Sequence, residues 1–199
     1  MMKTDYRNQF LCIPPNELAF DIDGVCADTF RAFVEVARRD YGIAIDYDQI
    51  TEYEFWKILD ITEEICQKII QRILDEPIQM GIRPMDGSVN VLKRLAGKGP
   101  VLFVSARPEK ESILEWIKNY LCSVDPALIR IEAVGGHEEK ASVLLENGAK
   151  YFIEDRLETC YLLDRASVVP IVFDQPWNRK DHPFAKVTSW LDICEMIDW

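Results

Sequence analysis

Apolar runs of strand length alternate along the chain with amphipathic stretches of helix length. Residues 18–22 (LAFDI) predict a first strand, and residues 29–41 (TFRAFVEVARRDY) predict a helix closed by Gly42 at a C-cap position. A second helix is predicted over residues 62–74, where Thr62 supplies a cap and Glu63 and Glu64 fill the first turn. A third covers residues 89–96 and stops at the breaker Gly97-Lys98-Gly99-Pro100. The rhythm then becomes regular: strand 101–104, helix 108–120 with Pro108 in its first turn, strand 129–134, helix 138–147 ahead of Gly148, strand 151–153, helix 157–165 and strand 168–173. Residues 175–183, rich in Pro, Asn, Lys and His, predict a loop.

Alternation of this kind argues for an α/β fold, a Rossmann-like, doubly wound parallel sheet with helices on both faces and right-handed crossovers. One interval breaks the pattern. Helical segments follow the first strand with no strand until Val101, which predicts a small helical cap inserted after that strand. The expected organisation is an N-terminal segment 1–16, a core of residues 17–27 and 84–199, and a cap of residues 28–83.

Composition narrows the function. The chain has 199 residues, enough for one domain or a core with a small insertion, and is 48% hydrophobic and 29% charged, which excludes disordered and fibrous classes. Its formal net charge of −11 argues against binding to nucleic acid polymers or anionic membranes. An acidic protein that handles phosphate must neutralise it locally, with a metal ion and a few cations. The longest apolar runs are too short to span a bilayer, and the N-terminal residues have no sustained apolar stretch of the signal-peptide kind. Six scattered cysteines without a C-x-x-C pair, and only two histidines (His137 and His182), predict reduced thiols in a cytoplasmic protein. Oligomeric state leaves no mark in the sequence.

In open α/β sheets ligands bind beyond the carboxyl ends of the strands. Four successive strand ends here carry polar groups: Asp21-Ile22-Asp23-Gly24, Ser105-Ala106-Arg107, Gly135-Gly136 leading to Lys140, and Glu154-Asp155-Arg156. Asp21 and Asp23, two residues apart on an extended chain, point to one side. Paired carboxylates suit a hard cation such as Mg²⁺, and Glu154 and Asp155 can complete the site from another strand. An EF-hand does not fit, because glycine falls at the fourth position of the loop and the twelfth would be Ala32. Lys140 opens its helix, where the macrodipole disfavours a cation. Either Glu138 and Glu139 compensate locally, or the lysine serves the carboxylates and a phosphate. Ser105 is placed to donate to a phosphoryl oxygen, beside backbone N–H groups.

Taken in order, FDIDGV (residues 20–25), VSAR (residues 104–107), Lys140 and FIEDR (residues 152–156) resemble the four motifs of the haloacid dehalogenase (HAD) superfamily of phosphohydrolases. The resemblance implies that Asp21 attacks phosphorus to form an aspartyl-phosphate, and that Asp23 protonates the leaving oxygen and then activates water. It implies that Ser105, Ala106 and Lys140 hold the phosphoryl group. Asp21, the Asp23 backbone carbonyl and Asp155 would bind Mg²⁺, with Glu154 supporting them. Arg107 is expected either to contact the phosphate or to pair with a carboxylate. DIDGVCAD (residues 21–28), YEFWKIL (residues 53–59) and FDQPWNR (residues 173–179) are further similar to the 5′(3′)-deoxyribonucleotidases. By that resemblance the substrate is a small phosphorylated metabolite such as a deoxynucleoside monophosphate, and Tyr53, Phe55 and Trp56 either stack on its base or form the core of the cap. Two other readings remain at this level: a phosphatase of sugar or other small metabolite phosphates, and a catalytically silent module that binds a phosphate ligand.

Overall fold

The structure is a computed structural model, and it describes residues 12–199. Residues 1–11, which make up most of the expected N-terminal segment, lie outside the described residues. The part of that segment that is described joins the body of the protein. Ile13 forms a parallel bridge with Ile197, its N–H donating to the Met196 carbonyl at 2.8 Å and its carbonyl accepting from Asp198 N–H at 2.9 Å.

Six strands build one sheet: β1 (Leu18–Phe20), β2 (Val101–Ser105), β3 (Ile129–Ala133), β4 (Tyr151–Glu154), β5 (Val169–Phe173) and β6 (Ala185–Val187). Their order is β3-β2-β1-β4-β5-β6 and every pairing is parallel. Side chains alternate between the two faces, as the strand period requires. Leu18 and Phe20 of β1, Val101 and Phe103 of β2 and Ile153 of β4 join one apolar cluster. Ala19, Leu102, Val104 and Phe152 join another on the opposite face. The helices α1 (Thr29–Tyr41), α2 (Glu63–Asp75), α3 (Ser88–Ala96), α4 (Glu111–Tyr120) and α7 (Trp190–Met196) contribute to the first cluster. Those that cover the other face are α5 (Lys140–Glu146) and α6 (Leu157–Arg165). The sheet is thus the doubly wound α/β layer that the alternation predicts.

Strand order reverses at β1, whose neighbours β2 and β4 are reached by crossovers in opposite directions, and a crevice opens at such a point. The chain leaves the sheet there through a tight loop in which the Ile22 carbonyl accepts from Cys26 and Ala27 at 2.9 and 2.8 Å. It returns alongside itself, Ala27 pairing antiparallel with Pro84 while Asp28 N–H donates to the Arg83 carbonyl at 2.8 Å. Between these points run α1, two short 3-10 turns (Tyr47–Gln49 and Phe55–Lys57) and α2. Gly42 closes α1 in the left-handed region at φ 68°, and Thr62 caps α2 by accepting from Ile65 N–H at 3.3 Å. Apolar residues of this segment, such as Phe33, Phe55 and Ile69, belong to the same cluster as the sheet, so it is not a separately cored body.

Several element limits differ from the sequence expectation. β1 stops at Phe20, two residues early, because the loop hydrogen bonds on Ile22 take over; Asp21 still donates its N–H to Ile153 at 2.9 Å. Helix α4 opens at Glu111, three residues after Pro108, since the chain first turns under Ser105, whose Oγ accepts from Arg107 N–H at 3.2 Å. Helix α5 opens at Lys140 itself instead of residue 138. The expected loop 175–183 contains a 3-10 turn, Pro176–Asn178. β6 and α7 were not expected. Among the described residues no helix is long and apolar enough to cross a membrane.

Candidate active site

Asp21 follows the last residue of β1 at the crevice, and Lys140 is brought to it from α5. The Lys140 side chain is 0% exposed, with Nζ 3.0 Å from Asp21 Oδ1 and 2.9 Å from Glu154 Oε2. Its partners are these two acids and not the neighbouring Glu138 and Glu139, so its charge is compensated by distant carboxylates and not locally. A buried ammonium at a helix start is disfavoured both by desolvation and by the macrodipole, and two carboxylates offset both. Glu154 is held in turn, its Oε1 accepting from the N–H groups of Asp155 and Arg156 at 3.1 Å each.

Asp21, Glu154 and Asp155 are all buried, and each offers a carboxylate oxygen within 4.8 Å of the others. Three acids around one ammonium leave an excess of negative charge. Burial, with Glu154 and Asp23 adding to it against the pull of Lys140, raises the Asp21 carboxyl to about 8. Burial, Glu154 and Asp21 likewise raise Asp155 far above the carboxylate range. For Glu154 burial also acts upward, but Lys140 overcomes it and holds that acid low. A hard-oxygen donor set with uncompensated charge fits a divalent cation such as Mg²⁺.

Asp155 is fixed from a direction the motifs did not reveal. Trp177 Nε1 donates to its Oδ2 at 3.1 Å, and Asn178 Nδ2 donates to its carbonyl at 2.7 Å and to that of Phe173 at 2.8 Å. Gln175 Nε2 donates to the Gly24 carbonyl at 2.7 Å, and Gln175 Oε1 accepts from the Tyr47 hydroxyl at 2.8 Å. The segment FDQPWNR therefore ties the end of β4, the loop after β1 and the 3-10 turn at Tyr47 together. Trp177 also stacks on Phe30 of α1, ring centroids 3.9 Å apart.

The Asp23 side chain lies outside the three-acid cluster, so only its backbone carbonyl is left for the metal role expected of it. Arg107 grips its carboxylate with two bonds, Nε to Oδ2 at 2.8 Å and Nη2 to Oδ1 at 2.7 Å, and Thr29 Oγ1 donates at 2.5 Å. Burial acts upward on this acid, and Arg107 overcomes it, so Asp23 stays below the usual range. The third arm of Arg107 reaches the Leu74 carbonyl near the end of α2 at 3.2 Å. The arginine thus takes the carboxylate-pairing alternative in this structure.

A cavity of about 280 Å³ opens over these groups. Asp21, Asp23, Ser105, Ala106 and Arg107 line one part of it; Phe30, Phe33, Tyr53, Phe55, Trp56 and the aliphatic face of α2 line the rest. Lys140, Glu154 and Asp155 are not in the lining and reach it through Asp21. The three expected aromatics differ in availability. Phe55 is 3% exposed and packs edge-on against Phe33 and Phe30. Trp56 is half-buried. Tyr53 has the Arg156 guanidinium over its ring at 5.1 Å and Phe30 and His137 edge-on to it. Thr29, Phe30 and His137 were missed by sequence reasoning. The available signal was position: the first two open the helix straight after the first motif, and His137 follows the Gly135-Gly136 strand end.

Known proteins resemble this chain in sequence and in fold. YqfW of Bacillus subtilis (strain 168), which bears the name of a nucleotidase, is 25% identical over 192 residues, covering 91% of this chain and 93% of its own. A HAD-superfamily hydrolase from Ehrlichia chaffeensis shares the fold with a TM-score of 0.54 at 16% identity, covering 90% of this chain and 94% of its own. The haloacid dehalogenase-like protein SP0104 from Streptococcus pneumoniae does so with a TM-score of 0.58 at 13% identity, covering 92% and 96%. Residues 16–198 match the model of one family across core and helical segment alike. This chain belongs to that family, the 5′ nucleotidase, deoxy (Pyrimidine), cytosolic type C proteins (NT5C), and is an enzyme of the HAD-type phosphatase and nucleotidase kind.

Proposed function

We propose that the enzyme hydrolyses nucleoside monophosphates, deoxyribonucleotides first among them, through an aspartyl-phosphate on Asp21. The observation that carries this reading is the two-part cavity. Its acidic part, with Ser105 and Arg107, suits a phosphate, and its aromatic part suits a flat, apolar leaving group. Its volume stands near the lower end of ligand cavities, roughly 300–1,000 Å³, which favours a small substrate. In this reading residues 28–83 act as a cap on the core of residues 17–27 and 84–199, and the work is done in the cytoplasm.

Lys140 holds Asp21 Oδ1 and leaves Oδ2 for attack on phosphorus. Asp21, Asp155 and the Asp23 carbonyl would hold Mg²⁺, with Glu154 keeping Lys140 and the end of β4 in place. When bound, the ion neutralises charge on the phosphoryl oxygens and on the acids around it. Asp23 is the acid that protonates the leaving oxygen, and the arriving phosphate frees it for that task. A phosphate dianion competes for the Arg107 guanidinium, and an Asp23 released from two charge-assisted bonds takes up a proton more readily. Ser105 and the Ala106 backbone then donate to the transferring group. The covalent route splits one difficult displacement into two easier steps.

The test is phosphate release from deoxynucleoside 3′- and 5′-monophosphates, sugar phosphates and aryl phosphates, with Mg²⁺ or EDTA, for wild type and Asp21→Asn. Metal-dependent release that favours deoxynucleotides and vanishes in Asp21→Asn is expected. A preference for sugar phosphates would discard the nucleotide assignment, and full activity in Asp21→Asn would discard the covalent route.

A further inference from the structure

Two polar groups in the cavity wall have no role in the chemistry above. The Tyr53 hydroxyl has no hydrogen-bond partner among the described residues, although it lies near Asp21, Asp23 and Asp155. His137 packs edge-on against the Tyr53 ring, centroids 6.0 Å apart at 85°, and its Nδ1 is 3.3 Å from Thr159 Oγ1. That second contact sets the tautomer. Thr159 is 0% exposed in the first turn of α6, and His137 is the partner its hydroxyl has. A buried hydroxyl that did not donate would leave its proton unpaired, so Nδ1 accepts and the ring proton sits on Nε2. Burial, with Lys140 and Arg156 adding to it, lowers His137 to about 4, so the ring is neutral near pH 7. Burial and the nearby acids raise Tyr53, so its hydroxyl keeps its proton.

Two residues with neutral donors thus meet edge to face in the lining that also holds Asp21, Asp23 and the aromatic side chains. We propose that Tyr53 Oη–H and His137 Nε2–H together bind an oxygen acceptor on the organic side of the phosphomonoester, selecting nucleotides over phosphate esters without such an acceptor. This rests on the nucleotidase reading and deepens it. Neutral donors suit an uncharged sugar or base oxygen, while the phosphate already has Ser105 and the Arg107 guanidinium. The pair also changes what Tyr53 is for: with Arg156 over its ring, it serves through its hydroxyl more than through stacking. Donors in a cavity wall discriminate once the substrate covers them, because a substrate without the acceptor leaves them without a partner.

The experiment is the ratio of kcat/KM for deoxyuridine 5′-monophosphate over phenyl phosphate, in wild type, Tyr53→Phe, His137→Leu and His137→Gln. Each of the first two variants is expected to lower that ratio roughly threefold to tenfold, the worth of one neutral hydrogen bond. His137→Gln, which sets an amide donor near the Nε2 position, restores part of it. A residue that only supports the fold would lower both substrates together, and an unchanged ratio with wild-type turnover of the nucleotide overturns the pair alone. A wild type that hydrolyses phenyl phosphate and no nucleotide overturns the nucleotidase reading, and the pair with it.

Discussion

Gly24 stands at φ +78°, where only glycine is unstrained, and a Cβ there would run into Asp155 Oδ2 with the Trp177 ring at 3.3 Å. Gly24→Ala is therefore expected to cost roughly 1–3 kcal/mol, the usual range for a strained residue, and to displace Asp155. Chemical denaturation gives the stability and calorimetric Mg²⁺ titration the metal affinity; a variant with both unchanged would refute the close approach. His137 makes a separate forecast. Its ordinary value of 6.5 falls to about 4 in the fold, so the unfolded chain takes up the proton first on acidification. The stability tied to the neutral ring is full above about pH 6.5 and is lost as the pH falls toward 4. On going from about pH 7 to about pH 5, wild type should lose more thermal stability than His137→Gln, and equal losses would contradict this. At this scale the sequence was informative where chain order alone brings groups together: Asp21, Ser105, Lys140 and Asp155 follow strand ends that a parallel sheet must align. It was silent where a role depends on a distant contact. Nothing local marks Trp177 as the donor to Asp155, 22 residues away, or Thr159 as the partner of His137.

Helix α2 belongs to the inserted segment, yet its end is fastened to the core. The Leu74 carbonyl accepts from Ser112 Oγ of α4 at 2.6 Å and from Arg107 Nη1 at 3.2 Å. Carbonyls in the last turn lack helical partners and carry the negative end of the dipole, so a hydroxyl and a guanidinium both suit them. Ser112→Ala removes one of the two and should cost about 1 kcal/mol, with faster hydrogen exchange in α2 and no change in the sheet. Exchange that rises evenly through the molecule would show that the contact does not hold this helix in particular. The elements themselves were legible where periodicity ran long. The amphipathic stretch of α1, its Gly42 stop and the Thr62 cap of α2 all announce themselves. β6 did not, because three residues with Lys186 facing out between Ala185 and Val187 are too short to read as alternation. α7 did carry a signal, the Ser189–Asp192 capping box, with Ser189 Oγ accepting from Asp192 N–H at 3.2 Å and Asp192 Oδ2 from Ser189 N–H at 3.0 Å. Its seven residues offer too few turns for the apolar face to stand out beside that cap.

For the molecule as a whole, the acids of the site are a cost that the rest of the fold must carry. With a net charge of −11, distant charges do nothing to relieve Asp21, Glu154 and Asp155; the relief is local, from Lys140 and a bound cation. The Asp21 carboxyl, raised to about 8 from 3.8, makes the metal-free protein bind protons that the unfolded chain has released. Stability linked to that group is full below about pH 3.8 and is lost as the pH rises through about 8. A cation that needs the ionised carboxylates acts in the opposite sense and stabilises more as the proton leaves. Thermal unfolding in EDTA and in millimolar Mg²⁺ should therefore differ little near pH 6 and much more near pH 8.5. Asp155→Asn, which removes one of the crowded charges, should raise the melting temperature in EDTA near pH 8.5 and shrink the increment from Mg²⁺. If Mg²⁺ gave wild type the same increment at both pH values, proton and metal would not compete for one cluster, and the three-acid site would lose its claim to the ion.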